Sequence, residues 1–255
     1  MGKVSKDFAS PSLGKLNGIR DFTPAHKEKM RISHKYKFIF FANPKTGSSS
    51  VRQFLNPYTD VQPVQNYLKR TPENPFYPHI TPLETKILFK EFGWDFNSYN
   101  KFVFVRNPWA RLVSLYEHVM RNPKNQMDFT PWLYSIKPDG VGGGGDDWQR
   151  WRKYGAYSIE NYIKDQEGNI LVDKVIRLED IQKELRPFLM ALGLPDVHDA
   201  KLKHNNKRKK STPYSNYYNQ ETREYVGNLY RYDIVNYGYS FSINKKRFWP
   251  PWFKR

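Results

Sequence analysis

One lysine, one glycine and four hydroxyl side chains stand together in Pro44-Lys45-Thr46-Gly47-Ser48-Ser49-Ser50, directly after the apolar run Phe38-Ile39-Phe40-Phe41-Ala42. A buried strand, a tight turn and a helix N-terminus, in that order, make an anion site. Free backbone N–H groups and the positive end of the helix dipole point at the bound group. Lys45 adds a mobile point charge, and Thr46, Ser48, Ser49 and Ser50 add hydroxyl donors. The chemistry expected of this loop is the holding of a phosphate-like group.

A second segment offers another anion clamp. Lys101-Phe102-Val103-Phe104-Val105 reads as a buried strand and runs into Arg106-Asn107-Pro108, where Asn107 suits the N-cap and Pro108 the first position of a helix over about 108–120. On that helix Trp109, Leu112, Val113, Tyr116 and Met120 share one face, expected to be core, while Ser114 projects away with Ala110 and His118. Arg106 at the strand end and Ser114 two turns on can hold a second anion, the arginine through its fork of donors. The ATP-binding pattern G-x-x-x-x-G-K-[ST] does not fit the first loop, because Ser48 follows Gly47 and the loop's lysine precedes it.

With both segments in view, Pro44 to Ser50 resembles the 5′-phosphosulfate loop of sulfotransferases that use 3′-phosphoadenosine 5′-phosphosulfate (PAPS). The stretch from Arg106 to Tyr116 looks like the family's 3′-phosphate motif, in which an arginine and a serine hold the 3′-phosphate. Between them His79-Ile80-Thr81-Pro82-Leu83-Glu84 is similar to a His-Xaa-Thr segment of the membrane-type carbohydrate branch, which includes heparan sulfate 2-O-sulfotransferase, and of its bacterial relatives. Val175 to Asp180, His204-Asn205-Asn206, Tyr217-Tyr218, Tyr230 to Ile234 and Gly238-Tyr239 also look like that branch, so the resemblance spans roughly 36–241. The basic run Lys207 to Lys210 departs from it, and the membrane anchor of its Golgi members is not found here.

The resemblance implies in-line transfer of a sulfuryl group from PAPS to an acceptor hydroxyl, with 3′-phosphoadenosine 5′-phosphate (PAP) as product and a carbohydrate as acceptor. Such a reaction needs positioning, a base for the acceptor proton and a cation beside the leaving phosphate. Lys45 suits the cation, and no metal is expected. His79 is the candidate base, since imidazole titrates near neutrality; His118 is a competitor, and Glu73 and Glu84 are weaker options. Two other functions stay open at this level: a P-loop-like ATP-dependent kinase, and a non-enzymatic module that binds polyanions.

These groups need a frame. Apolar strands alternating with helices argue for a P-loop-like, three-layer α/β/α fold around a mostly parallel sheet, with ligands beyond the carboxyl ends of the strands. The expected elements are strands at 36–42, 101–105 and 171–178, and helices at 48–55, 83–92, 108–120 and 219–231. Another helix near Asp180 is expected to kink or split at Pro187. The expected organisation is a loosely packed arm over 1–35, a catalytic domain over 36–243 and a basic aromatic tail over 244–255, with Gly142 to Gly145 in a flexible loop or lid.

Composition narrows the partners. Lys and Arg number 42 against 25 acids, a net charge of +17, which favours polyanionic partners such as nucleotides and acidic glycans. His204 to Ser211 forms a basic loop suited to an acidic acceptor or to the adenosine end, and nucleic acid is the less favoured partner. Cysteine is absent, which excludes disulfides, thiol nucleophiles and thiolate-bound zinc. No run approaches transmembrane length and no secretory h-region is seen, so a cytoplasmic location is expected.

Overall fold

The computed structural model describes residues 30–61, 63–65, 67–138, 156–197 and 212–242. Four strands form one sheet in the order β1 (Arg31–Ser33), β2 (Phe38–Phe41), β3 (Asn100–Val105) and β4 (Lys174–Arg177). The first pair is antiparallel, and β2, β3 and β4 run parallel, with Phe41 opposite Val103 and Val105 opposite Arg177. The helices are α1 (Ser48–Leu55), α2 (Pro82–Glu91), α3 (Pro108–Val119), α4 (Phe129–Tyr134), α5 (Ile159–Ile163), α6 (Ile181–Ala191), α7 (Gln220–Leu229) and α8 (Arg231–Tyr237).

Side-chain alternation in the strands makes two cores. Phe38, Phe40, Phe102, Phe104 and Ile176 point to one face, where Val51 and Leu55 of α1 and Ile181, Leu185 and Leu189 of α6 cover them. Ile39, Phe41, Val103 and Val105 point to the other, under Phe89 of α2 and Ile159 and Ile163 of α5. Strands apolar on both faces are what a parallel sheet between two helical layers requires, and the three-layer α/β/α expectation holds. A third cluster packs Trp109, Leu112 and Leu115 of α3 against Trp132 of α4 and Val226 of α7.

Several elements differ from the sequence-based expectation. Residues 31–33 lie within the stretch read as a loose arm, yet Met30, Arg31, Ile32 and Ser33 are buried and β1 pairs along β2. The strand is too short to carry a readable alternation. Helix α6 runs unbroken through Pro187, which lies on its exposed side. The buried stripe Ile181, Leu185 and Leu189 offsets the lost backbone hydrogen bond, so the helix is not split. The helix expected over 219–231 is α7, which stops at Leu229; Tyr230 turns the chain into a further helix, α8, which Gly238 ends with a φ of 62°. The Gly142 to Gly145 stretch, the basic loop His204 to Ser211 and the tail from 244 lie outside the described residues.

Helix α8 carries a buried acid. Both Asp233 carboxylate oxygens accept from the Ile159 N–H at 3.0 Å, at the start of α5. Burial pushes the carboxyl from its ordinary 3.8 up to about 7, against the pull of Arg111 and of that N–H. Through that window the folded chain therefore holds a proton that the unfolded chain has released. Stability contributed by this group is complete in acid and is lost as pH rises towards 7, by up to ~1.4 kcal/mol per pH unit. Asp233→Asn keeps an oxygen for Ile159 and is expected to remove this slope. Denaturant unfolding of both proteins at about pH 5 and about pH 8 checks it, the variant gaining on the wild type at the higher pH.

Candidate active site

Because β2, β3 and β4 are parallel, their carboxyl ends open on one edge of the sheet. The loop Ala42–Gly47, Arg106 and Glu179 follow those three ends. The loop is tightly wound. Thr46 is buried, and its hydroxyl donates to the Asn43 carbonyl at 2.8 Å, closing the turn. Lys45 and Gly47 both take left-handed backbone, with φ of 64° and 78°. At Gly47 a Cβ would lie 2.5 Å from Leu178 Cδ1, the end of a side chain that can shift, so it is the backbone sign that requires glycine.

Past Gly47 the chain enters α1 with no side-chain cap and no acid in the first turn. Helix α2 is the contrast, since Thr81 and Glu84 form a full capping box there. The first-turn amides of α1 are thus left to something other than a local side chain. Ser48 begins the helix, with Ser49 and Ser50 following in the same turn. In the loop before them the buried Nδ2 of Asn43 has no hydrogen-bond partner among the described residues. A basic loop with uncapped amides and an orphaned buried donor fits a phosphate-like group.

Two of the other expected residues, Arg106 and His79, contact this loop. Half-buried Arg106 donates from Nη1 to the Lys45 carbonyl at 3.1 Å. Half-buried His79 sits 2.6 Å from the Ala42 carbonyl through Nδ1. A carbonyl only accepts, so the Nδ1 proton is in that bond, and Nε2 carries the lone pair of the neutral ring. Tyr162 holds the segment in place by donating to the Ile80 carbonyl at 3.0 Å. Glu84, a weaker candidate base, has one oxygen on the Tyr77 hydroxyl at 2.6 Å and the other on the Thr81 cap at 2.8 Å, which assigns it to the helix terminus. Glu73 is exposed.

Ser114 is half-buried on α3, on the side shared with Ala110 and His118 and away from the buried stripe of Leu112, Leu115 and Val119. The start of that helix is firmly anchored. Asn107 Oδ1 accepts from Ala110 N at 3.2 Å as the N-cap, and its Nδ2 donates to the Ser240 carbonyl at 3.0 Å. Glu179 accepts from Asn107 N at 3.1 Å and from the Tyr239 hydroxyl at 3.0 Å. Burial and the Glu179 charge push the Tyr239 hydroxyl well above its ordinary range, so it remains a donor. Tyr218 donates to the Trp109 carbonyl and Tyr217 to Glu117, each at 3.0 Å. The downstream pieces at 175–180, 217–218 and 238–239 therefore brace the second anion segment.

One residue of the site was missed. Arg111 is buried on α3, with Nε donating to the Pro44 carbonyl at 3.0 Å and Nη2 to Asn43 Oδ1 at 3.1 Å. Its Nη1 donates to the Tyr157 carbonyl. The signal was available, because Arg111, Leu115 and Val119 fall at i, i+4 and i+8, which places a charge within an apolar stripe.

A family model described as the sulfotransferase family matches residues 28–240. No curated protein matches the chain significantly. Among solved structures, a sulfotransferase from Alicyclobacillus acidocaldarius is 16% identical, covering 78% of this chain and 92% of that one with a TM-score of 0.45. Mouse sulfotransferase SULT7A1 complexed with PAP is also 16% identical, covering 80% of this chain and 86% of that one with a TM-score of 0.46. In the described residues no helix is long and apolar enough to cross a membrane. The family match takes in the Pro44–Ser50 loop, His79 and the Arg106–Ser114 segment, and the chain belongs to the sulfotransferase family, enzymes whose sulfate donor is PAPS.

Proposed function

We propose that this chain sulfates a hydroxyl of a carbohydrate acceptor, with His79 as general base. The observation that carries the reading is the meeting of two distant segments at one loop. Arg106 reaches the Lys45 carbonyl at 3.1 Å, and His79 reaches the Ala42 carbonyl at 2.6 Å. When bound, PAPS supplies an activated sulfuryl group on a phosphate leaving group. The amides of Lys45 to Ser48, with the hydroxyls of Ser48, Ser49 and Ser50, hold its 5′ end, and Pro44 and Thr46 shape the turn. Arg106 and Ser114 hold its 3′-phosphate.

Lys45 would supply the ammonium that offsets negative charge growing on the leaving oxygen. His79 Nε2 takes the acceptor hydroxyl proton, while Nδ1–H stays on the Ala42 carbonyl and steadies the imidazolium that results. The carbohydrate acceptor draws support from the resemblance of the His79–Glu84 segment to the carbohydrate branch and from the net charge of +17, which suits a sugar that bears acidic groups.

Incubation with ³⁵S-labelled PAPS and a panel of glycans, tyrosyl peptides and small phenols tests the proposal. Label on a glycan is the expected result. Label confined to peptide or phenol would replace the acceptor, and failure to bind either PAPS or PAP would sink the donor reading.

A further inference from the structure

Arg111 does not reach the surface, and the proposed reaction gives it no step. Its guanidinium spans three segments: the donor loop at Asn43 and Pro44, helix α3 that carries it, and the chain entering α5 at Tyr157. Burying a guanidinium is costly, and a leucine would suit the stripe it shares with Leu115 and Val119. What a leucine lacks is the fork. Two donors in one rigid plane fall on consecutive residues of the loop, one on a carbonyl and one on a side-chain amide.

The second contact also sets the Asn43 side chain. With Oδ1 held by Arg111, the amide is turned so that its Nδ2 is the orphaned donor noted above. The far side of the clamp is itself secured. Asp233 holds Ile159 N, and the Tyr230 hydroxyl donates to the Ala156 carbonyl, so Tyr157 lies between two fixed points. Arg111 therefore braces the loop against a rigid part of the fold and places a positive charge beneath it.

We infer that Arg111 is a positioning residue that holds the Asn43–Pro44 turn in its donor-binding shape and sets the affinity for the nucleotide. The inference rests on the donor reading above. Arg111→Met preserves length and removes the fork; Arg111→Lys keeps the charge with a single donating head. PAP affinity by calorimetry, donor and acceptor KM, kcat and cooperative unfolding are measured for both and for the wild type.

For Arg111→Met, PAP affinity is expected to fall by roughly 10- to 100-fold, the worth of about one charge-assisted hydrogen bond. Donor KM should rise in step and acceptor KM should stay within about threefold. The lysine variant should fall between. A merely structural role predicts a lower unfolding midpoint and fewer active molecules, with donor KM unchanged in those that remain. That result overturns the inference, as does equal loss of donor and acceptor affinity. If the methionine variant does not fold, Asn43→Ala carries the test, since it removes one acceptor and leaves the Pro44 and Tyr157 contacts. Unaltered PAP affinity in that variant would also overturn it. A wild-type protein that binds no PAP removes the donor reading and this inference together, whereas wild-type binding matched by the variant removes the inference alone.

Discussion

Replacing His79 with alanine is expected to lower turnover by about 10²- to 10⁴-fold while PAP binding stays within about threefold. The size follows from what a positioned base contributes when a hydroxyl must lose its proton as it attacks. The direction of the split follows from geometry. His79 meets the Ala42 carbonyl at 2.6 Å, upstream of the Lys45 to Ser48 amides. Its loss leaves the winding of that turn in place, because Thr46 and Arg106 close it independently.

His79→Asn separates base from brace. Its amide can still donate to the Ala42 carbonyl but cannot take a proton near neutrality. It is expected to be as inactive as the alanine variant and as stable as the wild type. Unchanged turnover on a competent acceptor, in either variant, would remove His79 from the mechanism and return His118 to consideration.

Substitution of Lys45 by glycine is the second large effect, expected to cost about 10²- to 10³-fold in kcat with little change in stability. Its backbone φ of 64° carries a penalty for any residue with a Cβ, of about 1–2 kcal/mol, which glycine does not bear. Glycine is also freer in the unfolded chain, by about 0.5–1 kcal/mol, which offsets about half of that gain and leaves a net change of no more than about 1 kcal/mol. Arg106 bonds the backbone carbonyl of Lys45, so this tie survives the change. Lys45→Met keeps the strained backbone and the apolar stem without the ammonium, and it should match the glycine variant in activity. Single-turnover rates at saturating PAPS, with unfolding midpoints, check both. Activity restored in the glycine variant would mean that the lysine is retained for the loop and not for its charge.

The Pro44–Ser50 loop was readable as a hydroxyl-rich turn between an apolar run and a helical pattern, and the Arg106–Ser114 segment by the Asn107–Pro108 start of its helix; such signals act within a few residues. Helix α1 begins at Ser48 and α3 at Pro108, as the turn chemistry required. Arg111 was not read because its partners lie 46 to 68 residues away, and its burial depends on packing among α3, the donor loop and α5. The edge strand β1 was hidden for a similar reason. Three residues make no pattern, and their strand character comes from pairing with β2.

The sequence by itself determined the chemistry on offer: a lysine-bearing turn before an uncapped helix, an arginine at a second strand end, and a histidine between them. Those are properties of residue type and near spacing. Only the tertiary structure decided that the three meet, because the parallel register of β2, β3 and β4 brings chain segments about sixty residues apart to one sheet edge. It also decided which hydroxyls are committed elsewhere, Thr46 closing its own turn, and which nitrogen of His79 keeps the lone pair. Such assignments belong to hydrogen-bond partners, and a partner is fixed by the fold around it.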